Sequence, residues 1–180
     1  VPAHIERTLR VIDELCRQIS EADEQLTAVA KSDEICQRLM SVPGVGVVTA
    51  LWFVSAMDDC GRFESSHKVA SYFGLVPGEH SSSDRKHRTG LTKAGNPNVR
   101  WTLVQAAWSA WRCRPTDPMV QWAQRVAERR GRKVAIAALA RKIAGILYAL
   151  WRDGCRYNPS RGADRIESDG VVHLAGSTPA

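Results

Sequence analysis

The sequence predicts an all-α fold: a multi-helical domain with a helix–hairpin–helix motif, preceded by a long coiled-coil-like helical arm. Three observations predict it. Apolar residues recur at steps of three and four through most of the chain. Helix caps and breakers punctuate those runs at regular intervals. No period-two alternation of apolar and polar residues stands out anywhere. With 180 residues, 44% of them hydrophobic, the chain can bury one globular core and still extend an arm.

The arm comes first. Over residues 4–31, Ile5, Leu9, Ile12, Cys16, Ile19, Leu26 and Ala30 form a heptad-like stripe flanked by charges, with Asp23 interrupting one seam position. Such a helix can project as an arm or pack against its own domain, and the spacing leaves both open. Residues 1–34 therefore read as arm and linker, and 35–159 as the domain proper. Residues 160–180, polar and rich in Gly and Ser, read as a disordered tail.

Inside the domain, Ile35, Leu39 and Met40 belong to an apolar helix that runs into Val42–Pro43–Gly44–Val45–Gly46. A second apolar helix follows with Thr49, Ala50, Leu51 and Phe53. Two glycines spaced this way between helices make the helix–hairpin–helix pattern (35–57). Gly44 and Gly46 let the backbone turn tightly and approach a ligand closely. The free N–H groups opening the second helix then suit a phosphate. A plain αα-turn is the simpler alternative.

Asp58, Asp59 and Gly61 make a turn. Adjacent acids there are solvated turn residues rather than metal ligands, and no metal site is predicted. Ser65 or Ser66 caps a short helix with Val69, Ala70, Tyr72 and Phe73, ended by Gly74 and Pro77. The stretch 78–96, GEHSSSDRKHRTGLTKAGN, has too few apolar residues for a helix or strand face and reads as a serine-rich, basic loop. Asn96 and Pro97 then start a helix burying Val99, Leu103, Ala106, Ala107 and Trp111. Trp101, Trp108 and Trp111 read as helix-packing residues, with base stacking left open for Trp101 beside Arg100. Thr116 or Asp117 starts the next helix and Gly131 breaks it. The last, from about Arg132, is expected to bury Val134, Ala137, Ala138, Ile143, Leu147 and Leu150.

Charge narrows the function. Net charge is +6. Residues 1–40 hold eight acids against five bases, a net −3, which leaves +9 for the rest. Seven Lys and Arg and no acid lie between Arg85 and Thr116. A one-sign surface of that kind favours a polyanion, most commonly nucleic acid. The five cysteines (16, 36, 60, 113, 155) are scattered, odd in number and never in a C-x-x-C pair. Neither a zinc site nor a disulfide framework is expected, and a reducing cytoplasm suits them. No run of about 18 apolar residues suggests a membrane span, and no signal peptide precedes the arm. The chain starts at Val1, as a piece of a longer protein would.

The order of these motifs carries a resemblance. The hairpin, "RFESSHKVASYFGLVP", the serine cluster, "TKAGNPNVR", "LVQAAW", "RGRKVAIAALARKIAGILYAL" and "DGCRYNP" together resemble the C-terminal domain of the IS-one-ten / IS-eleven-eleven group of bacterial insertion-sequence transposases. The resemblance covers about residues 36–159, and the arm is similar to the helical linker before that domain. It implies a DNA recombinase of the serine type, acting with a metal-binding DEDD cluster on an N-terminal RNase-H-like domain. Mg2+ is expected there, and no cofactor in this chain. It implies DNA as partner, an element-encoded guide RNA in some members, a homo-oligomer in the active complex, and a bacterial cytoplasm at the nucleoid.

The resemblance also assigns residues. The family's pattern is Ser-Ser-Gly with the middle serine as nucleophile. Laid on this chain, Ser82 is that serine, Ser81 and Ser83 are the alternatives, and Ser83 stands in place of the glycine. A serine attacking a phosphodiester needs a base or metal to activate it and cations for the developing charge. Arg85, Lys86, Arg88, Lys93 and Arg100 can supply those cations without competing acids. No DEDD-like acidic cluster occurs in the 180 residues, so the isolated chain is expected to bind nucleic acid without completing strand transfer. The alternative is a non-enzymatic helix–hairpin–helix module, a decayed remnant of such an element.

Overall fold

The computed structural model describes residues 2–82 and 85–160, with residues 79–82 and 85–89 described by their backbone alone. Among the described residues there are seven α-helices and one two-stranded hairpin. The class is all-α, as predicted. Ser83 and all of the predicted tail except Ser160 lie outside the described residues.

Helix α1 (Ala3–Ser32) realises the periodic stripe and projects as an arm. Only Ala30 is buried; Ile5, Leu9, Ile12 and Ile19 are 42–60% exposed. The choice the spacing left open is thus settled against packing onto its own domain. Its ion pairs, such as Glu6–Arg10 and Glu14–Arg17, are solvent-exposed i,i+3 and i,i+4 contacts that add little. Asp33 ends α1 and caps α2 (Glu34–Leu39), accepting from the Ile35 N–H at 2.9 Å.

Helix α3 (Val47–Met57) buries Thr49, Ala50, Phe53 and Met57. Asp59 then accepts from the Gly61 N–H and caps a 3-10 turn, Cys60–Arg62. Helix α4 (Ser66–Tyr72) has Ser65, one of the two serines the sequence offers, as its N-cap. Helix α5 (Pro97–Cys113) starts at Asn96, whose side chain accepts from the N–H groups of Asn98 and Val99. Helix α6 (Pro118–Arg130) starts at Asp117, which accepts from the Met119 N–H.

Helix α7 (Arg132–Asp153) is the centre of the core. It packs against α2, α4, α5 and α6. Its buried face differs from the predicted one. Ala135, Ile136, Leu139, Ala140, Ala144 and Tyr148 join Ile143, Leu147 and Leu150, while Val134 is 47% exposed and Ala137 and Ala138 are half-buried. The helix is apolar on most sides, so periodicity alone could not pick the face; neighbours on several sides did. Length and a mean hydropathy of 1.6 would let α7 cross a bilayer, which a search for an unbroken apolar run misses. Half of that apolar stretch is instead buried within the domain.

The largest departure is at 77–91. The stretch expected to be an irregular loop forms β1 (Pro77–Ser82) and β2 (Arg85–Leu91), an antiparallel hairpin. No apolar alternation announced it; its base meets the core through half-buried Leu91 and buried Leu75 next to β1. A ladder is held by backbone hydrogen bonds, which every residue type but proline can make.

The cysteines are free among the described residues. Cys36 is buried, and burial, then Asp33, pushes its thiol from 9.0 up to about 12. Cys16 and Cys113 are exposed. A disulfide reagent at pH 8 should therefore modify Cys16 and Cys113 at once and Cys36 only on unfolding; rapid modification of Cys36 in folded protein would refute its placement. The raised thiol stabilises the fold fully below about pH 9, and that contribution should drain away as pH climbs towards 12.

Candidate nucleic-acid interface

The two hairpin glycines turn out to do different work. Gly44 has φ +83° and lies against α5: a Cβ there would overlap the Ala106 carbonyl oxygen and sit 2.7 Å from the Ala110 nitrogen. Small residues on α5, Ala106 and Ala110, permit this approach. Gly44 is thus a packing residue of the αα junction, and it also lines the open groove beside the turn. Gly46 is exposed, would have nothing within 4 Å of an added Cβ, and caps α3 without a side-chain bond. Among the described residues, no side-chain cap bonds the N–H groups of the first turn of α3.

Beside this turn lies an open groove of about 640 Å³, lined in part by Pro43, Gly46, Ser109, Arg114, Asp117 and Tyr157. Its floor is fixed by the chain's return after α7. The Tyr157 N–H donates to Ser41 Oγ at 2.9 Å, and the Tyr157 hydroxyl donates to Asp117 Oδ1 at 2.9 Å. Burial, then Asp117, holds the Tyr157 phenol above its ordinary range, so it stays a donor. Arg114 is exposed. Sequence reasoning counted Arg114 in the acid-free stretch but gave it no role. Nothing in its spacing could bring it to a turn some 70 residues earlier.

The serine hairpin is the second part. In its register Ser82 is opposite Arg85, Ser81 opposite Lys86, His80 opposite His87 and Glu79 opposite Arg88. A bulge follows before Pro77 meets Leu91. Serines and bases that are neighbours in sequence are therefore also cross-strand partners at the hairpin's outer end.

The stretch 92–96 ties this hairpin to the domain. The Thr92 N–H donates to the Val76 carbonyl at 2.9 Å, and the Lys93 N–H to that of Gly74 at 3.2 Å. Gly95, at φ +82°, packs so closely on Tyr72 that a Cβ would overlap its carbonyl oxygen. Arg100 Nη1 donates to the carbonyls of Phe73 and Ala94, both at 3.2 Å. Arg100 is thus committed at least in part to holding the hairpin base, a role its sequence position beside the basic loop did not reveal. Lys93 is exposed, with φ +55°.

The tryptophans divide. Trp108 and Trp111 pack partly against the core, as expected, and Arg132 lies over both rings at 5.5 and 5.9 Å. Trp101 does not pack; it is 61% exposed. The helix-packing expectation fails there because position 101 falls on the outer side of α5, between buried Val99, Thr102 and Leu103. Among the described residues, no three His, Cys, Asp or Glu side chains converge as a metal site would require.

Comparison with known proteins bears on what such a surface serves. Residues 36–126 match the family described as transposase IS116/IS110/IS902. The chain is 40% identical over 134 residues to the transposase for insertion sequence element IS1111A of Coxiella burnetii, covering 73% of this chain and 37% of that protein. It is 32% identical over 144 residues to a probable family 20 transposase of Pseudomonas aeruginosa, covering 79% and 43%. It is 31% identical over 143 residues to the transposase for insertion sequence element IS1328 of Yersinia enterocolitica, covering 78% and 42%. The chain spans about two fifths of the length of these relatives.

Proposed function

The chain belongs to the IS116/IS110/IS902 transposase family, and on that premise we propose that it is the DNA-binding and serine-nucleophile part of an insertion-sequence transposase, completed by an N-terminal metal-binding DEDD domain. The observation that carries this reading is the hairpin register, which sets Ser82 opposite Arg85 and Ser81 opposite Lys86. Residues directly opposite in an antiparallel pair are near neighbours on one face. A scissile phosphate approached by the Ser82 hydroxyl is then next to cationic positions of the same ladder.

In the proposed step, Ser82 Oγ attacks the phosphorus of a DNA phosphodiester. The Oγ–P bond forms as the bond from phosphorus to the leaving deoxyribose oxygen breaks. The serine proton passes to a base, and the leaving oxygen takes up a proton as a hydroxyl. The phosphoserine ester conserves the bond for rejoining to another DNA end. Arg85, at the position opposite Ser82, stabilises the charge growing on the phosphate oxygens, while Lys86 and Arg88, at the alternate positions of the ladder, add to the local positive field. Divalent metal on the DEDD domain supplies further activation when present; the described residues here do not form such a site, and no step is derived through it.

The rest of the surface serves positioning. Gly46 and the uncapped start of α3 form the backbone-binding turn of the helix–hairpin–helix, with Arg114 beside it. Lys93 adds charge at the hairpin base. The apolar stripe along α1 supports pairing of copies in a homo-oligomer, since recombination must hold two DNA partners together. Element-encoded RNA is a further partner, and the bacterial cytoplasm, at the nucleoid, is the place of action.

The binding part is tested by filter binding across a salt series with duplex DNA and structured RNA. Affinity should fall linearly in log–log form with a slope steeper than about −3, as release of counterions from several phosphates requires. No binding at low salt, or a slope near zero, would sink the reading. The second reading, a non-enzymatic binding module, is favoured by Ser83 standing at the family's glycine, and it predicts the same salt series without strand exchange.

A further inference from the structure

The run RRGRK, residues 129–133, sits at the corner where α6 ends and α7 begins. Arg129, Arg130, Arg132 and Lys133 are all exposed. None is in an ion pair among the described residues. Arg129 and Arg130 have an ordinary explanation, because cations suit a helix C-terminus. Arg132 and Lys133 do not. They occupy the first turn of α7, where the helix field disfavours positive charge, and that turn holds no acid and no side-chain cap. Arg132 is partly accounted for by the Trp108 and Trp111 rings beneath it. Among the described residues, Lys133 has no such ring beneath it. Four cations crowded on one corner, two of them against the local field, cost the fold something unless an anion meets them.

We propose that this α6–α7 corner is a second contact surface for the backbone of duplex DNA, separate from the serine hairpin. The proposal rests on the nucleic-acid reading above. The partner's chemistry follows from the surface: exposed guanidinium and ammonium groups, unpaired and spread around a corner, match a run of phosphates rather than one small anion. The transposase family makes duplex DNA the polyanion. Geometry allows one duplex to span both surfaces. Arg132 lies over Trp108 and Trp111, 11 to 14 residues along α5 from its start at Pro97, a few residues past the hairpin, which is roughly 16–21 Å at 1.5 Å per residue. That is about half a turn of B-DNA. Arg112, one helical turn beyond Trp108 on α5, extends the cationic surface towards the corner.

The test compares three variants of the 180-residue chain on a duplex of about two turns. Arg129→Gln/Arg130→Gln/Lys133→Gln should bind about tenfold or more weakly at moderate salt, with the salt slope shallower by about 2 to 3. Arg7→Gln/Arg10→Gln/Lys31→Gln makes the same change in net charge on α1 and should change affinity less than about threefold. Arg129→Lys/Arg130→Lys/Lys133→Arg should keep the wild-type slope. If the corner and α1 triples behave alike, the corner is only a solvated face and the inference falls. If the corner triple weakens structured RNA but not duplex DNA, the assignment to DNA is overturned. Absence of binding by the wild-type chain would instead refute the nucleic-acid reading itself.

Discussion

Gly44→Val should cost more than about 4 kcal/mol and leave little folded protein, while Gly46→Val, two residues on, should fold normally. The difference follows from what each glycine touches. At Gly44 the new side chain meets the Ala106 carbonyl and the Ala110 nitrogen, which are backbone atoms of α5 and cannot swing aside. The φ of +83° adds strain for a β-branched residue. At Gly46, φ is −102° and no atom stands within 4 Å of the added carbon. Since a domain of this size has only about 5–15 kcal/mol of net stability, the first change takes a large share of it. Gly95→Ala should resemble Gly44→Val, because its Cβ would overlap the Tyr72 carbonyl. Thermal unfolding followed by circular dichroism reads all three. A Gly44→Val protein melting within a few degrees of wild type would show that α3 and α5 are not packed as described. Gly46→Val, folded, should lower affinity for duplex DNA by about tenfold if the start of α3 meets a phosphate; unchanged affinity would make the hairpin a structural turn only.

Ser82→Ala, in a protein that includes the DEDD domain, should reduce strand exchange by about a thousandfold or more while leaving DNA affinity within about twofold. The substitution removes one hydroxyl and keeps every cation, so association is spared and the covalent step is lost. Ser81→Ala and Ser83→Ala should have milder effects. Denaturing gels give the direct reading: a protein–DNA adduct should form and vanish with Ser82→Ala alone. An adduct that survives Ser82→Ala but disappears with Ser81→Ala moves the nucleophile by one register position, to the residue opposite Lys86. If no serine change affects recombination, the hairpin binds phosphate without chemistry and the binding-module reading prevails.

Much of the helical frame was legible because its signals are local. Asn96 caps the helix the sequence assigned to it, and Ser65 and Asp117 are each one of the two cap candidates the sequence offered. Each needs only an oxygen two or three residues before a free N–H. The α1 stripe was legible for the same reason, since its repeat is read within one helix. The strands were not. β1 and β2 carry no apolar alternation, and the bonds from Thr92 and Lys93 back to Val76 and Gly74, which extend the hairpin towards the domain, join backbone groups that no residue type announces.

The candidate site divides along the same line. Residue types alone placed three serines beside a run of bases and two glycines in a helix–helix turn, and the acid-free stretch pointed to a polyanion. The sequence by itself determined the all-α class, the caps and the charge, because each is set by a residue and its near neighbours or by composition. Tertiary structure alone decided that Gly44 serves α5 and Gly46 stays free, that Arg100 clamps two carbonyls, that Trp101 faces outward and Val134 is exposed, and that Ser82 lies opposite Arg85. All but the last depend on which surfaces meet across long stretches of chain; the Ser82–Arg85 pairing joins near neighbours in sequence, in strands that no apolar pattern marks. An apolar helix such as α7 offers several faces of similar hydrophobicity, and only the simultaneous packing of its neighbours selects one.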